Sequence, residues 1–197
     1  MKPVKSLVLF TICSLILSTS NAQIKLPAIT ANSIHPELEK VVKDYFNHFM
    51  NIRGEEIGNN PQTTEYYSSV KISGAEECSI TKYSSAKNEV WSWQAVMLTT
   101  EEFETAKKKF KSLYTQMNDL TVHFDDEPIC SFTGAYEIPT EAKKFTSVVF
   151  SAQTKNETVR PLRIELTLEY KLVEWEIKIL VYGKDREDNE QGKPHEG

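Results

Sequence analysis

Residues 162–182 read LRIELTLEYKLVEWEIKILVY, with apolar residues on even positions as far as Leu172 and on odd positions from Val173 onward. Successive side chains on a strand point to opposite faces, so Leu162, Ile164, Leu166, Leu168 and Tyr170 form one apolar row. Val173, Trp175, Ile177, Ile179 and Val181 form a second row. One straight strand would turn that second row out to water. A turn over residues 171–174 instead folds the two strands antiparallel and lets both rows face one core. Arg163, Glu165, Thr167, Glu169, Glu174, Glu176 and Lys178 then share the opposite face, the wet side of an antiparallel sheet.

Upstream of this hairpin the pattern alternates between helix and strand signals. Pro36 suits a first helical turn, and Leu38, Val41, Val42, Tyr45, Phe49 and Ile52 recur at three- and four-residue steps before Gly54. Residues 54–64 have loop composition. Strand-like runs follow at 65–72, 77–83 and 90–98. The spacing Thr99-x-x-Glu102 predicts a capping box opening a second helix over 100–117, with Phe103, Ala106, Phe110, Leu113, Tyr114 and Met117 as its apolar stripe. Lys107, Lys108, Lys109 and Lys111 mostly avoid that stripe and read as a solvated face. Further strand signals occupy 120–124, 129–138 and 145–152. Strands in direct succession favour antiparallel pairing. The expected fold is α+β, with about seven to eight antiparallel strands and two amphipathic helices covering one face. Helix-then-meander occurs twice, which suggests two related halves.

The first 22 residues read as a signal peptide. Lys2 and Lys5 make a basic start, SLVLFTICSLIL is an apolar stretch, and Ser20 and Ala22 stand at the spacing of a cleavage site. The apolar run is short for a membrane span of about 20 residues. This ending is similar to those of exported proteins of Gram-negative bacteria. Cleavage after Ala22 leaves a domain over residues 23–182 and a polar tail over 183–197, which lacks apolar periodicity. Removal of Lys2 and Lys5 leaves 21 basic residues against 28 acidic ones, a formal charge of −7. That balance argues against nucleic acid, and no second apolar run approaches membrane length. The expectation is an exported protein, periplasmic or extracellular, without stable membrane insertion after cleavage.

Three candidate features carry chemistry. Trp91 and Trp93 share a strand face, as a pair able to stack a flat ligand would, but that face is otherwise apolar and suits a core. His123 and Asp125 share a strand face as two metal ligands could, without a third ligand in view. Cys78 and Cys130, an even pair in two strands of an exported chain, are candidates for a disulfide. Catalytic signatures are missing: the chain has no G-x-S-x-G, no H-E-x-x-H and no glycine-rich phosphate loop. No cofactor is implied. The reading is a non-catalytic binding or interaction protein, its partner a small molecule or an envelope protein. The alternative is a small enzyme with an apolar pocket between helices and a curved sheet. That arrangement is similar to the NTF2-like superfamily at the level of fold alone, although the order of elements differs.

Overall fold

The computed structural model describes residues 33–84, 89–118, 120–124 and 129–184. The expected signal peptide, Asp125 and residues 185–197 of the tail lie outside the described residues. Helix α1 (His35–Asp44) leads through a 3₁₀ turn (Tyr45–Asn47) into four strands: β1 (Arg53–Asn59), β2 (Thr63–Ser68), β3 (Glu77–Ser84) and β4 (Glu89–Thr100). Helix α2 (Phe103–Met117) leads into five more: β5 (Leu120–Val122), β6 (Cys130–Thr133), β7 (Phe145–Gln153), β8 (Leu162–Lys171) and β9 (Glu174–Gly183). All nine pair antiparallel in one sheet of order β1-β2-β3-β4-β9-β8-β7-β6-β5. The two halves are therefore two meanders, each introduced by a helix, joined along β4 and β9. The fold is α+β.

The β8–β9 hairpin pairs Leu166 with Ile179, Leu168 with Ile177 and Tyr170 with Trp175. Both apolar rows are inward, and Ile177 and Ile179 are fully buried. Val173 departs from its expected row. It stands with Leu172 in a two-residue turn closed by the Lys171–Glu174 pair, and both side chains are exposed. The row continues across the sheet through Ala95 and Trp93 on β4, Ile80 and Cys78 on β3, Val148 and Phe150 on β7, and Phe132 on β6. Helix α2 lies against β4, β8 and β9, with Phe110 and Leu113 buried. Leu38, Val41 and Val42 of α1 join the same apolar cluster. Each such aliphatic side chain contributes about 1.5–3 kcal/mol when removed from water.

Several expectations are corrected. The strand count is nine, because β1 sits where a loop was expected. It is an exposed edge strand with irregular pairing to β2, so it has no buried face to generate an apolar alternation. Helix α1 stops at Asp44 rather than near Ile52. The buried Asp44 carboxylate accepts hydrogen bonds from the backbone N–H of Asn51 (3.0 Å) and Ile52 (3.2 Å), and from Asn51 Nδ2. This folds the chain back through His48 and Phe49, both left-handed (φ 52° and 57°). Phe49 and Ile52 still reach the core, which is why they mimic helical spacing. The capping box does not form: Thr99 donates through its N–H and its hydroxyl to Glu76, 3.0 Å each, and Glu102 is the N-cap. The strand expected over 129–138 shortens to β6. Gly183, expected to open the tail, is the buried last residue of β9.

Cys78 and Cys130 are not bridged. Cys78 is on β3 and Cys130 on β6, with β4, β9, β8 and β7 between them. Five strand spacings measure about 24 Å along the sheet, far beyond the reach of a disulfide. The pairing expectation failed because the two halves run outward from a central seam, placing each cysteine in its own meander.

The opposite face of the sheet is polar. Glu176 lies 3.0 Å from Lys171 and 2.8 Å from Lys178, and Lys171 also meets Glu169 at 3.4 Å. Burial works to raise the Glu176 carboxyl, but the two lysines outweigh it and hold it below its usual range. The hydrogen bond to Glu176 raises Lys171 in turn. Small residues Ser79, Thr81 and Ser92 are buried on this face, and Tyr182 donates to Glu165 at 2.9 Å. The charges of the hairpin form a connected surface network.

Candidate functional site: the cleft beside Trp91

The start of β4 places Trp91 on the inward face, directly opposite Lys82 of β3. Tyr66 of β2 lies on the same face one pair along. The left-handed turn after α1 then brings His48 over the indole. The imidazole and Trp91 rings lie 6° from parallel with centroids 6.1 Å apart, and Tyr66 stacks on Trp91 at 6.2 Å. Arg53, the first residue of β1, sits 4.8 Å from the Tyr66 ring and 5.7 Å from that of Trp91, and Lys82 Nζ is 5.5 Å from the indole. Histidine is among the residues that tolerate a left-handed backbone, whereas Phe49 is not. Two successive positive φ angles at non-glycine residues cost roughly 1–3 kcal/mol each, and they persist because Asp44 and the buried Phe49 hold the turn.

Beside this stack, a cleft of about 170 Å³ is lined by Tyr45, His48, Glu89, Val90, Trp91 and Gly183. Lys82 lies 2.5 Å from Glu89 and holds its carboxyl below the usual range, with Trp91 and His48 adding to the effect. The Trp91 indole N–H turns toward that carboxylate without reaching hydrogen-bonding geometry. Its nitrogen is buried, and no other acceptor among the described residues reaches it. Tryptophan N–H groups normally find one when removed from water.

The structure separates the two tryptophans. Trp93 is fully buried and donates to Ser68 Oγ at 2.9 Å, so it is a satisfied core residue. Trp91 is 6 % exposed, and its ring faces are already covered, so it is no open stacking platform. What it presents to the cleft is its edge. His123 is exposed beside the inward Val122, and its candidate partner Asp125 lies outside the described residues. Among the described residues no group of three or more His, Cys, Asp or Glu is gathered to hold a metal. A second cleft of about 170 Å³ is lined by Tyr67, Ser68, Lys71, Glu76, Glu77 and Cys78. Burial pushes the Cys78 thiol up, against the opposing Ile72 backbone and Lys71 charge, which disfavours a nucleophilic thiolate.

His48, Arg53, Lys82 and Glu89 were not legible as site residues. His48 falls on a helical pattern, and its position over Trp91 depends on a turn that the pattern conceals. Glu89-x-Trp91, two residues sharing one strand face, was the one local signal available. Comparison with models of protein families, with curated proteins and with solved structures finds no match for this chain.

Proposed function

We propose that this protein is an exported, non-catalytic binding or interaction protein, which engages a small molecule or an envelope partner at the cleft beside Trp91. The observation that carries the reading is the cleft itself, where a strained turn sets His48 beside Trp91 and Glu89. The left-handed turn costs stability, and it forms one wall of this cleft. The export part of the reading rests on Lys2, Lys5 and the apolar run behind them. No helix among the described residues is long and apolar enough to cross a membrane. A nuclear magnetic resonance screen of small molecules against the ¹⁵N-labelled chain tests the binding reading. Saturable shifts are expected at residues 45–49, 89–91 and 183. Shifts confined to other regions would overturn it.

One observation favours a second reading, a small enzyme: His48 and Glu89 line the same cleft, and such a pair suits proton transfer. Turnover of an ester, amide or phosphoester panel by the native chain, lost in His48→Gln, would establish that alternative.

A further inference from the structure

Resting on the binding reading above, we infer that the occupant of the cleft beside Trp91 is the β8–β9 turn, Leu172 and Val173, of a second copy of this chain. The charged residue lining the cleft, Glu89, is already paired with Lys82, so the space offers no net charge to an ion. The remaining walls are Tyr45, His48, Val90, Trp91 and Gly183, which suit an uncharged apolar group. Size agrees. An apolar cavity of about 150 Å³ holds benzene, and this cleft measures about 170 Å³, room for a branched aliphatic side chain. The molecule itself presents such a group. Leu172 is 96 % exposed and Val173 65 %. Two-residue hairpin turns favour Asn-Gly or Asp-Gly because they need positive φ, yet here Leu172 holds φ 54°. Neither residue serves the turn or the core, and a local rule broken without gain inside the fold points to a contact made outside it.

Topology decides whose turn it is. Strand β9 leaves the turn at Glu174 and reaches the cleft at Gly183, and its 10 residues span about 30 Å, so no chain fills its own cleft. A turn at one end of the sheet and a cleft at the other make a head-to-tail contact between unlike surfaces, not a two-fold one. The charges left over at the two ends are opposite in sign. Beside the turn, Glu174 has no ion pair among the described residues. Beside the cleft, and not in its lining, Arg53 lies 5.7 Å from the Trp91 ring without a carboxylate partner among the described residues. Opposed charges at a rim favour encounter and fix register. A two-residue turn buries less than the roughly 1,200 Å² of a stable interface, so the association is weak and transient.

The test is a dilution series of the ¹⁵N-labelled chain over about 0.05–2 mM, the range that a millimolar-class affinity requires. Expected are concentration-dependent shifts of the Trp91 indole N–H and of residues 171–174 together, while the Trp93 indole, bonded to Ser68, stays in place. Leu172→Asp is a surface change to a residue that tolerates a left-handed backbone, and it weakens the association at least about tenfold. Its cleft is intact. Unlabelled His48→Asp, which keeps the β8–β9 turn and loses a cleft wall, therefore restores the Trp91 shift in labelled Leu172→Asp without moving residues 171–174. Unlabelled native chain takes its place should the His48 variant unfold. Association lost in Leu172→Asp and restored by neither partner would mean that turn meets turn, and would overturn the inference. So would the absence of any concentration-dependent shift, or shifts of residues 171–174 seen only with phosphatidylcholine vesicles, which would assign the turn to a lipid surface. None of these outcomes touches the binding reading, which falls only if the small-molecule screen also leaves residues 45–49, 89–91 and 183 unmoved.

Discussion

Thr146 stands on the inward face of β7, paired with Leu168, and its buried hydroxyl has no hydrogen-bond partner among the described residues. An isosteric methyl in its place removes the desolvation cost of that hydroxyl. Thr146→Val should therefore stabilise the fold by about 1–2 kcal/mol. A rise in the urea midpoint checks this, and a fall would mean the hydroxyl is satisfied in solution. The same scale governs the cysteines. Cys78 and Cys130 are both buried, and burial raises the Cys78 thiol above its ordinary value. A raised value means less thiolate at neutral pH, so iodoacetamide should label Cys78 slowly in the native protein and rapidly in urea. Rapid native labelling, seen by mass spectrometry, would show that β3 opens.

At the scale of elements, helix α2 is held by its inward stripe. Phe110 is fully buried and Lys108 is exposed. Phe110→Ala should cost about 3–5 kcal/mol, and Lys108→Ala should stay within about 0.5 kcal/mol. Equal unfolding midpoints would contradict the packing of this helix. The β8–β9 turn is built the other way. Leu172 is 96 % exposed with φ 54°, a conformation that glycine adopts without its side-chain penalty. Leu172→Gly should raise stability by about 0.5–1 kcal/mol after glycine's own entropy cost, read from thermal unfolding. On the polar face, the depressed Glu176 carboxyl contributes stability that is present above its unfolded value of 4.5. That contribution is lost as pH falls through the lower folded value. Glu176→Gln should cost about 0.5–1 kcal/mol at neutral pH and flatten the acid limb of a stability–pH curve. An unchanged acid limb would remove Glu176 from that account.

The same elements show what the sequence makes visible. Strands β7, β8 and β9 and helix α2 each bury one regular face, so period-two and period-3.6 patterns reveal them. Strand β1 buries almost nothing, and its pairing with β2 is carried by backbone hydrogen bonds that leave no mark in residue type. The turn at 48–52 was hidden for the opposite reason, since Phe49 and Ile52 return to the core at helical spacing. Trp91 was visible as a candidate. Its neighbours His48 and Arg53 come from the end of α1 and the edge of the sheet, and only tertiary structure gathers them.

Across the whole molecule, the sheet guards its outer edges. Strand β5 has three residues, and β1 carries Glu55, Glu56 and two breaks in register, devices that discourage pairing with another chain. Its centre is arranged differently. Strand β4 lies between β3 and β9, and residues 101–173 are threaded elsewhere before β9 arrives to take its place. A ribosome makes β4 long before it makes β9, so the nascent chain carries β4 with one side of its backbone unpaired. Non-local pairing of this kind slows folding. During that interval the middle of the future sheet is an open edge, rich in Trp91, Trp93 and Met97, and its own late strand competes there with any neighbouring chain.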